Sequence, residues 1–123
     1  NGRDKEVLVV DDEISIGGLV QQILVPLGFR VTTVACAEAA VSLLRDRKFD
    51  LVLSDCKMPG LGGVGLYEQV RVSHPELAAR FVYMTGDVFD AGTQKFMRQY
   101  NLICLAKPFS APEIKAAIGK LQI

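Results

Sequence analysis

The sequence predicts an α/β fold in which one parallel sheet is covered by helices on both faces. Short apolar runs without period-two alternation recur along the 123 residues, and they are typical of strands buried on both faces. Between them lie segments whose apolar residues recur every three or four positions, the spacing of an amphipathic helix. Five such strands alternating with five helices predict parallel pairing through right-handed crossovers.

The first half of the chain predicts three strands and two helices. Residues 7–10 are an apolar block, too short for a helix and rich in β-branched side chains, which predicts a buried strand. Residues 16–27 carry apolar side chains on one helical face, and Gly28 is expected to end this helix. The second strand, the second helix and the third strand are predicted at residues 30–35, 37–44 and 51–53, the last ending at Ser54 and Asp55.

A loop rich in glycine and proline follows the third strand. It is expected to be unusually loose, because several glycines add backbone freedom, namely Gly60, Gly62, Gly63 and Gly65. Residues 66–70 predict the third helix, which should stop before Pro75.

The last third of the chain predicts two more strands and two more helices. Residues 81–84 and 102–105 predict the fourth and fifth strands, with a weaker helical segment at residues 89–100 between them. The final helix should begin after Ser110, which forms a capping-box pattern with Glu113. Five large side chains fit either the core or partner-facing helix positions, and the core is the expected place: Tyr67, Phe81, Phe96, Met97 and Tyr100.

Composition predicts a single domain over residues 1–123, with residues 1–5 a polar leader or linker remnant. Fourteen basic residues balance fourteen acidic ones, so no overall field favours direct nucleic-acid binding. No apolar stretch approaches the roughly 18 residues of a membrane span. The odd number of cysteines (Cys36, Cys56 and Cys104), without metal-knuckle spacing, predicts reduced thiols in a cytoplasmic protein.

Polar side chains follow four of the five predicted strands. Because sites in open α/β sheets form beyond the carboxyl ends of the strands, these side chains are expected to converge. They are Asp11, Asp12 and Glu13 after the first strand, Asp55 after the third, Thr85 and Asp87 after the fourth, and Lys107 after the fifth.

This set of groups predicts phosphate chemistry assisted by a divalent cation. Clustered carboxylates repel unless a cation is present, and hard oxygen ligands suit Mg²⁺ far better than zinc. Lys107 would then neutralise a phosphoryl oxygen, and Thr85 would donate a hydrogen bond to another. Asp55 would act as the nucleophile, since carboxylates form aspartyl-phosphate intermediates.

Taken singly, each of these residues is more often structural than functional. An aspartate after a strand is usually a turn former or a helix cap, and a lone lysine is usually a solvated surface charge. The coincidence at four strand ends favours the functional interpretation for the set, whereas Glu13 and Asp87 remain closer to ordinary surface carboxylates. His74 is expected at a surface helix end, and Cys56 is not expected to be redox active.

These residues resemble the receiver domain of bacterial-type response regulators in two-component signalling. The matching segments are residues 7–13, residues 51–60 with Gly63, residues 82–86 and residues 107–109. The resemblance implies a flavodoxin-like, doubly wound (βα)5 sandwich with strand order 2-1-3-4-5. It also implies that Asp55 is phosphorylated by a phosphohistidine donor, which is a histidine kinase or a histidine phosphotransfer domain.

The resemblance further implies a role for each site residue. Asp12, Asp55 and the backbone carbonyl of Lys57 would bind Mg²⁺, with Mn²⁺ as a substitute ion, and Asp11 would act partly through water. Thr85 and Lys107 would contact the phosphoryl group. The peptide bond between Lys107 and Pro108 would be cis. The domain would catalyse its own phosphorylation and dephosphorylation, largely by positioning and charge neutralisation.

The sequence departs from the family pattern at three places. Cys104 stands where many receivers carry a switch aromatic that couples to Thr85, and the sequence alone does not assign this role to Tyr83. Gly62 stands where an Asp is common. Lys57 and Asp87 occupy the two positions that tune hydrolysis in relatives, and the hypothesis is that they pair across the site and slow attack by water.

Other functions compete with that of a phosphorylatable receiver. The first alternative is a degenerate receiver that serves only as a protein-interaction module, against which the complete acidic, Thr and Lys set argues. A metal-dependent aspartyl phosphatase needs a second Asp where this chain has Lys57. A flavin carrier needs a phosphate-binding loop after the first strand, where the charges of Asp11 and Asp12 would repel the phosphate. The parent protein is expected to be either a stand-alone regulator or a hybrid histidine kinase with this receiver at its C-terminal end. Either way the domain is expected to be cytoplasmic, without membrane contact, and a monomer or weak dimer.

Overall fold

A computed structural model describes residues 4–56, 60, 62–86, 91–107 and 109–121. Its five strands pair in parallel, in the spatial order β2-β1-β3-β4-β5, so the predicted α/β class and the flavodoxin-like strand order are confirmed. The strands are β1 (Glu6–Val10), β2 (Arg30–Val34), β3 (Leu51–Asp55), β4 (Phe81–Thr85) and β5 (Ile103–Ala106).

Six α-helices lie among the described residues: α1 (Ile14–Leu24), α2 (Ala37–Asp46), α3 (Gly62–Ser73), α4 (Pro75–Ala78), α5 (Ala91–Tyr100) and α6 (Ala111–Lys120). A 3₁₀ turn at Val25–Leu27 extends α1 and ends at Gly28, whose φ of 98° is the left-handed conformation that glycine favours. Ser110 and Glu113 form the predicted capping box. None of the helices in the described ranges is long and apolar enough to cross a membrane.

The side chains of alternate strand residues pack into two separate hydrophobic cores, one on each face of the sheet. On one face, strand residues that include Leu8, Val52 and Tyr83 pack with α2, α3, α4 and α5. On the other face, strand residues that include Val9 and Leu53 pack with α1 and α6. Every residue of β3 and β4 is buried, which leaves their carboxyl ends as the places where polar side chains can emerge.

Five aromatic rings form one cluster between the sheet and helices α3 and α5. Neighbouring ring centroids lie 5.0 to 6.4 Å apart at steep interplanar angles, an arrangement that favours edge-to-face contact. The rings belong to Tyr67, Phe81, Tyr83, Phe96 and Tyr100. The predicted core positions of Tyr67 and Phe81 are therefore confirmed and Tyr83 joins them, whereas Phe96 and Tyr100 are half-buried and pack against this core.

The glycine-rich segment differs from its prediction as a loose loop. Gly62, Gly63 and Gly65 lie inside α3, which begins four residues earlier than the predicted span. A Cβ on Gly63 would lie 2.2 Å from the carbonyl oxygen of Asp55 and 2.9 Å from the Cα of Cys56. Glycine is therefore needed at this position for close packing of helix on strand.

Pro75 starts the short helix α4, which the sequence pattern does not predict. The third helix does end before Pro75, as predicted, but the chain turns immediately into a new helical turn. Proline is favoured at the first position of a helix, because its missing N–H would have no partner there. His74 precedes it as the N-cap residue.

Replacing Gly63 with Ala should destabilise the domain by roughly 2 kcal/mol or more. The added methyl group meets backbone, which cannot rotate away, so the cost of overpacking exceeds the helix-propensity gain of about 1 kcal/mol. Gly18→Ala in α1 is the matched control, because nothing lies within 4 Å of its Cβ position, and it should leave stability equal or higher. Urea unfolding curves measure both changes. A Gly63→Ala variant as stable as wild type would refute the close packing.

Candidate active site

Three carboxylates converge at the carboxyl end of the sheet. Asp11 and Asp12 follow β1, and Asp55 is the last residue of β3. One carboxylate oxygen from each lies within 4.8 Å of the others. The two strands are hydrogen-bonded neighbours in register, so their following side chains are brought together by the sheet itself. Asp11 and Asp55 are buried, whereas Asp12 is exposed.

The ammonium group of Lys107 lies among these carboxylates. Its Nζ is 2.7 Å from Asp11 Oδ2, 3.2 Å from Glu13 Oε1 and 3.5 Å from Asp55 Oδ2. Its backbone N–H donates to the carbonyl of Thr85 at 2.8 Å, which ties the residue after β5 to the end of β4. Burial by itself would lower the pKa of Lys107, but the carboxylates of Asp11, Asp55 and Glu13 outweigh burial and raise it above its usual value.

The two carboxylate oxygens of Asp11 have different partners: one accepts a backbone hydrogen bond, and the other forms an ion pair. Its Oδ1 accepts a hydrogen bond from the backbone N–H of Glu13 at 2.9 Å. Its Oδ2 is fully buried and accepts no well-oriented hydrogen bond from the described residues, although the Lys107 ammonium is 2.7 Å away. The ammonium of Lys107 therefore supplies the positive charge that this buried carboxylate oxygen requires.

The donor set fits a hard divalent cation. Among the described residues of the site, four carboxylates (Asp11, Asp12, Glu13 and Asp55) stand against the one ammonium group of Lys107. Carboxylate oxygens are the ligands that Mg²⁺ prefers, and one or two of them commonly suffice when phosphate oxygens and water complete its shell. The residues present therefore have both the chemistry and the unspent negative charge for such an ion.

Thr85 reaches the same edge on the far side of Asp55. It ends β4 and its side chain is almost fully buried. Met84 pairs with Asp55 in the sheet, and the carbonyl of Met84 accepts a hydrogen bond from the N–H of Cys56 at 3.1 Å. Thr85 is therefore one residue beyond the partner of Asp55. The predicted convergence of Asp11, Asp12, Asp55, Thr85 and Lys107 at one edge is present in the structure.

Three predictions fall outside the described residues. They are the backbone carbonyl of Lys57, the pairing of Lys57 with Asp87, and the cis peptide bond before Pro108. All three stay predictions.

Glu13 belongs to this group of charges, although the sequence predicts an ordinary surface carboxylate there. Its Oε1 accepts a hydrogen bond from Lys107 at 3.2 Å. The two residues are 94 positions apart in the chain, so only the pairing of strands brings them together. The acidic run of residues 11–13 was the available signal.

The other singled-out side chains lie away from this chemistry or are buried beside it. His74 caps α4, which precedes the start of β4 and so belongs to the opposite end of the sheet. The cysteines carry free thiols; Cys56 is buried, and Cys36 and Cys104 are half-buried. The Sγ of Cys56 lies 3.9 Å from the hydroxyl oxygen of Thr93 in α5.

Comparison with known proteins identifies relatives that share both the sequence and the fold. The sequence profile of the response regulator receiver domain family matches residues 7–119. The chain is 32% identical over 114 residues to a probable chemotaxis protein CheY of Rhizobium etli, with 92% of this chain and 88% of that protein covered. It is 33% identical over 117 residues to a probable transcriptional regulator, ycf27, of Cyanophora paradoxa. That alignment covers 95% of this chain but only 48% of the relative.

A solved structure shows the same fold around a metal site. The receiver domain of a sensor histidine kinase from Pseudomonas aeruginosa superposes with a TM-score of 0.82 at 26% identity, over 96% of this chain and 97% of that one. That receiver was crystallised with a magnesium ion coordinated in its active-site cleft.

Proposed function

The chain belongs to the response regulator receiver domain family of two-component signalling, and on that premise we propose that it takes a phosphoryl group from a phosphohistidine donor onto Asp55 in a Mg²⁺-dependent reaction. One observation carries the proposal. Asp11, Asp12 and Asp55 bring carboxylate oxygens within 4.8 Å of one another, with the ammonium of Lys107 3.5 Å from Asp55.

The acidic group would hold the metal. Asp12 and Asp55 would supply direct ligands together with the backbone carbonyl of Lys57, and Asp11 would act partly through water, with Mn²⁺ as a substitute ion. When bound, the ion neutralises the charge of the carboxylates and of the phosphoryl oxygens. The close approach of the three carboxylates, with one oxygen from each within 4.8 Å of the others, supports this assignment.

Asp55 is the nucleophile of this reaction. One of its carboxylate oxygens forms the bond to phosphorus while the bond from phosphorus to the donor's imidazole nitrogen breaks, and that nitrogen keeps the bonding electron pair. Because Asp55 ends a fully buried strand, its carboxylate is held in place by the sheet. No reorganisation of the backbone is then needed when the donor arrives.

Lys107 and Thr85 stabilise the transferred group. A phosphoryl group on Oδ2 of Asp55 would lie next to the ammonium of Lys107, which is already 3.5 Å from that oxygen. The hydroxyl of Thr85, at the end of the neighbouring strand, would donate a hydrogen bond to a second phosphoryl oxygen. Both residues are tied together by the hydrogen bond from Lys107 N–H to the Thr85 carbonyl.

The same proposal covers the setting of the domain. Its donor is a histidine kinase or a histidine phosphotransfer domain, and it makes no direct contact with nucleic acid. Residues 1–123 function as one receiver domain in the cytoplasm, either alone or as part of a hybrid histidine kinase, and as a monomer or weak dimer.

Mg²⁺ withdrawal tests the proposed function. Incubation with acetyl phosphate or phosphoramidate in Mg²⁺ should add the mass of one phosphate, and EDTA should prevent the gain by removing the ion that balances the carboxylates. Excess Mg²⁺ added after EDTA should restore the gain, which controls for damage by the chelator. If small donors give no product, a phosphorylated histidine phosphotransfer domain is the decisive donor. No phosphate from either source would leave the interaction-module alternative instead.

A further inference from the structure

Tyr83 places a hydroxyl group inside the core, next to the strand that carries Asp55. Its side chain is completely buried in β4, and its hydroxyl donates a hydrogen bond to the backbone carbonyl of Gly63 in the first turn of α3. Burial, with a smaller contribution from nearby Cys56, raises the pKa of the Tyr83 phenol far above its usual range. The phenol is therefore a permanent hydrogen-bond donor at physiological pH.

The acceptor of this bond lies directly against β3. Gly63 approaches so closely that an added Cβ would meet the carbonyl oxygen of Asp55 and the backbone of Cys56. The hydroxyl of Tyr83 thus joins three elements, β4, α3 and the end of β3, at one buried point. A buried hydrogen bond of this kind is expensive to leave unmade, because neither partner can turn to water.

Both ends of the segment that follows Asp55 are therefore anchored on β4. At its start, the N–H of Cys56 donates to the carbonyl of Met84 at 3.1 Å. At its end, the carbonyl of Gly63 accepts from the side chain of Tyr83, the residue next to Met84. Strand β4 therefore contacts both the residue that follows Asp55 and the start of α3.

The orientation of the Tyr83 ring is fixed by its neighbours. Its centroid lies 5.0 Å from that of Phe81 and 5.8 Å from that of Phe96. Its partner on β5 is Cys104, a small side chain that packs on the same core. In this pair of neighbouring residues the aromatic side chain is thus on β4 and not on β5. Its hydroxyl is hydrogen-bonded to the backbone of α3.

We propose that Tyr83 is a positioning residue for the phosphoacceptor site, whose hydroxyl holds the start of α3 against the end of β3 and so keeps Asp55 in the geometry that binds the metal ion. This inference rests on the proposed function. It assigns a role to a residue that touches neither metal nor phosphate.

The test compares Tyr83→Phe with Tyr67→Phe. Both substitutions remove one hydroxyl from a ring of the same aromatic cluster, but no hydrogen bond from Tyr67 to another described residue is found. Mg²⁺ affinity is measured by calorimetric titration without any phosphodonor. Tyr83→Phe should weaken Mg²⁺ binding about fivefold, the effect of one hydrogen bond, whereas Tyr67→Phe should leave it near the wild-type value.

Hydrogen exchange over residues 62–67 gives a second measurement that a general loss of stability would not reproduce. Exchange there should be faster in Tyr83→Phe than in Tyr67→Phe, at a temperature where circular dichroism shows both to be folded. Equal Mg²⁺ affinities, or equal exchange in the two variants, would overturn the inference. Failure of the wild-type protein to bind Mg²⁺ or accept phosphate would instead overturn the proposed function, so the two failures are distinguishable.

Discussion

Replacing Asp55 with Asn should abolish phosphate incorporation altogether. The amide has no anionic oxygen to form an acyl phosphate, and no other described carboxylate occupies the end of a buried central strand beside both Lys107 and Thr85. The variant should remain folded, because removing one of several clustered carboxylates relieves repulsion at the site. Intact mass after incubation with phosphoramidate and Mg²⁺ measures the loss, and thermal unfolding measures the stability.

Asp46→Asn is the matched control for this change. Asp46 is an exposed carboxylate at the end of α2, and its substitution should leave phosphorylation at the wild-type rate. Phosphate gain in the Asp55→Asn variant at a rate near that of Asp46→Asn would mean that another residue is the acceptor. The catalytic assignment of this edge of the sheet would then fail.

Replacing Lys107 with Gln should slow phosphorylation by about 10²- to 10³-fold, the effect of removing one preorganised charge or donor from a transition state. Mg²⁺ binding should not weaken, because the site loses its ammonium while its carboxylates remain. Mg²⁺ affinity therefore distinguishes Lys107 from the metal ligands, because Asp12→Asn should weaken the binding of Mg²⁺ and Lys107→Gln should not. Phosphorylation kinetics at saturating Mg²⁺, together with titration of the metal alone, measure the two effects.

Lys115→Gln provides the control for loss of a positive charge. Lys115 is exposed on α6, and its substitution should change neither quantity. If Lys107→Gln were phosphorylated as fast as Lys115→Gln, the ammonium would have only a structural role in pairing with Asp11 and Glu13.

The sheet and the main site residues could be predicted because the residue pattern of each strand indicates whether its two faces are buried. Strands buried on both faces read as apolar runs, so their ends, and the polar residues Asp55, Thr85 and Lys107 just beyond them, could be located without any tertiary information. The topology then determined which of these ends meet. The arrangement of charged groups followed from the parallel sheet alone.

The parts that were missed depend on contacts between distant segments. The sequence predicts loop freedom at Gly63, but glycine is required there because α3 packs against the backbone of β3. The partner of Glu13 is Lys107, and that of Tyr83 is a backbone carbonyl. The acidic run of residues 11–13 marks Glu13 as a candidate, but residue type and periodicity do not identify either partner.

The position of Cys104 illustrates the same limit. Its identity showed that an aromatic side chain was missing from β5, but not whether another residue took its place. The register of β4 and β5 sets Tyr83 beside it, facing the same core.

Chemical mapping of the phosphorylated residue tests the central claim most directly. The protein is phosphorylated in Mg²⁺, and borohydride then reduces the acyl phosphate so that the modified aspartate becomes homoserine, which tandem mass spectrometry locates in the peptide containing residues 51–56. The account predicts homoserine at position 55 alone, and none in the EDTA sample. Modification at Asp11, Asp12 or His74 instead, or stable phosphate that resists borohydride, would contradict it.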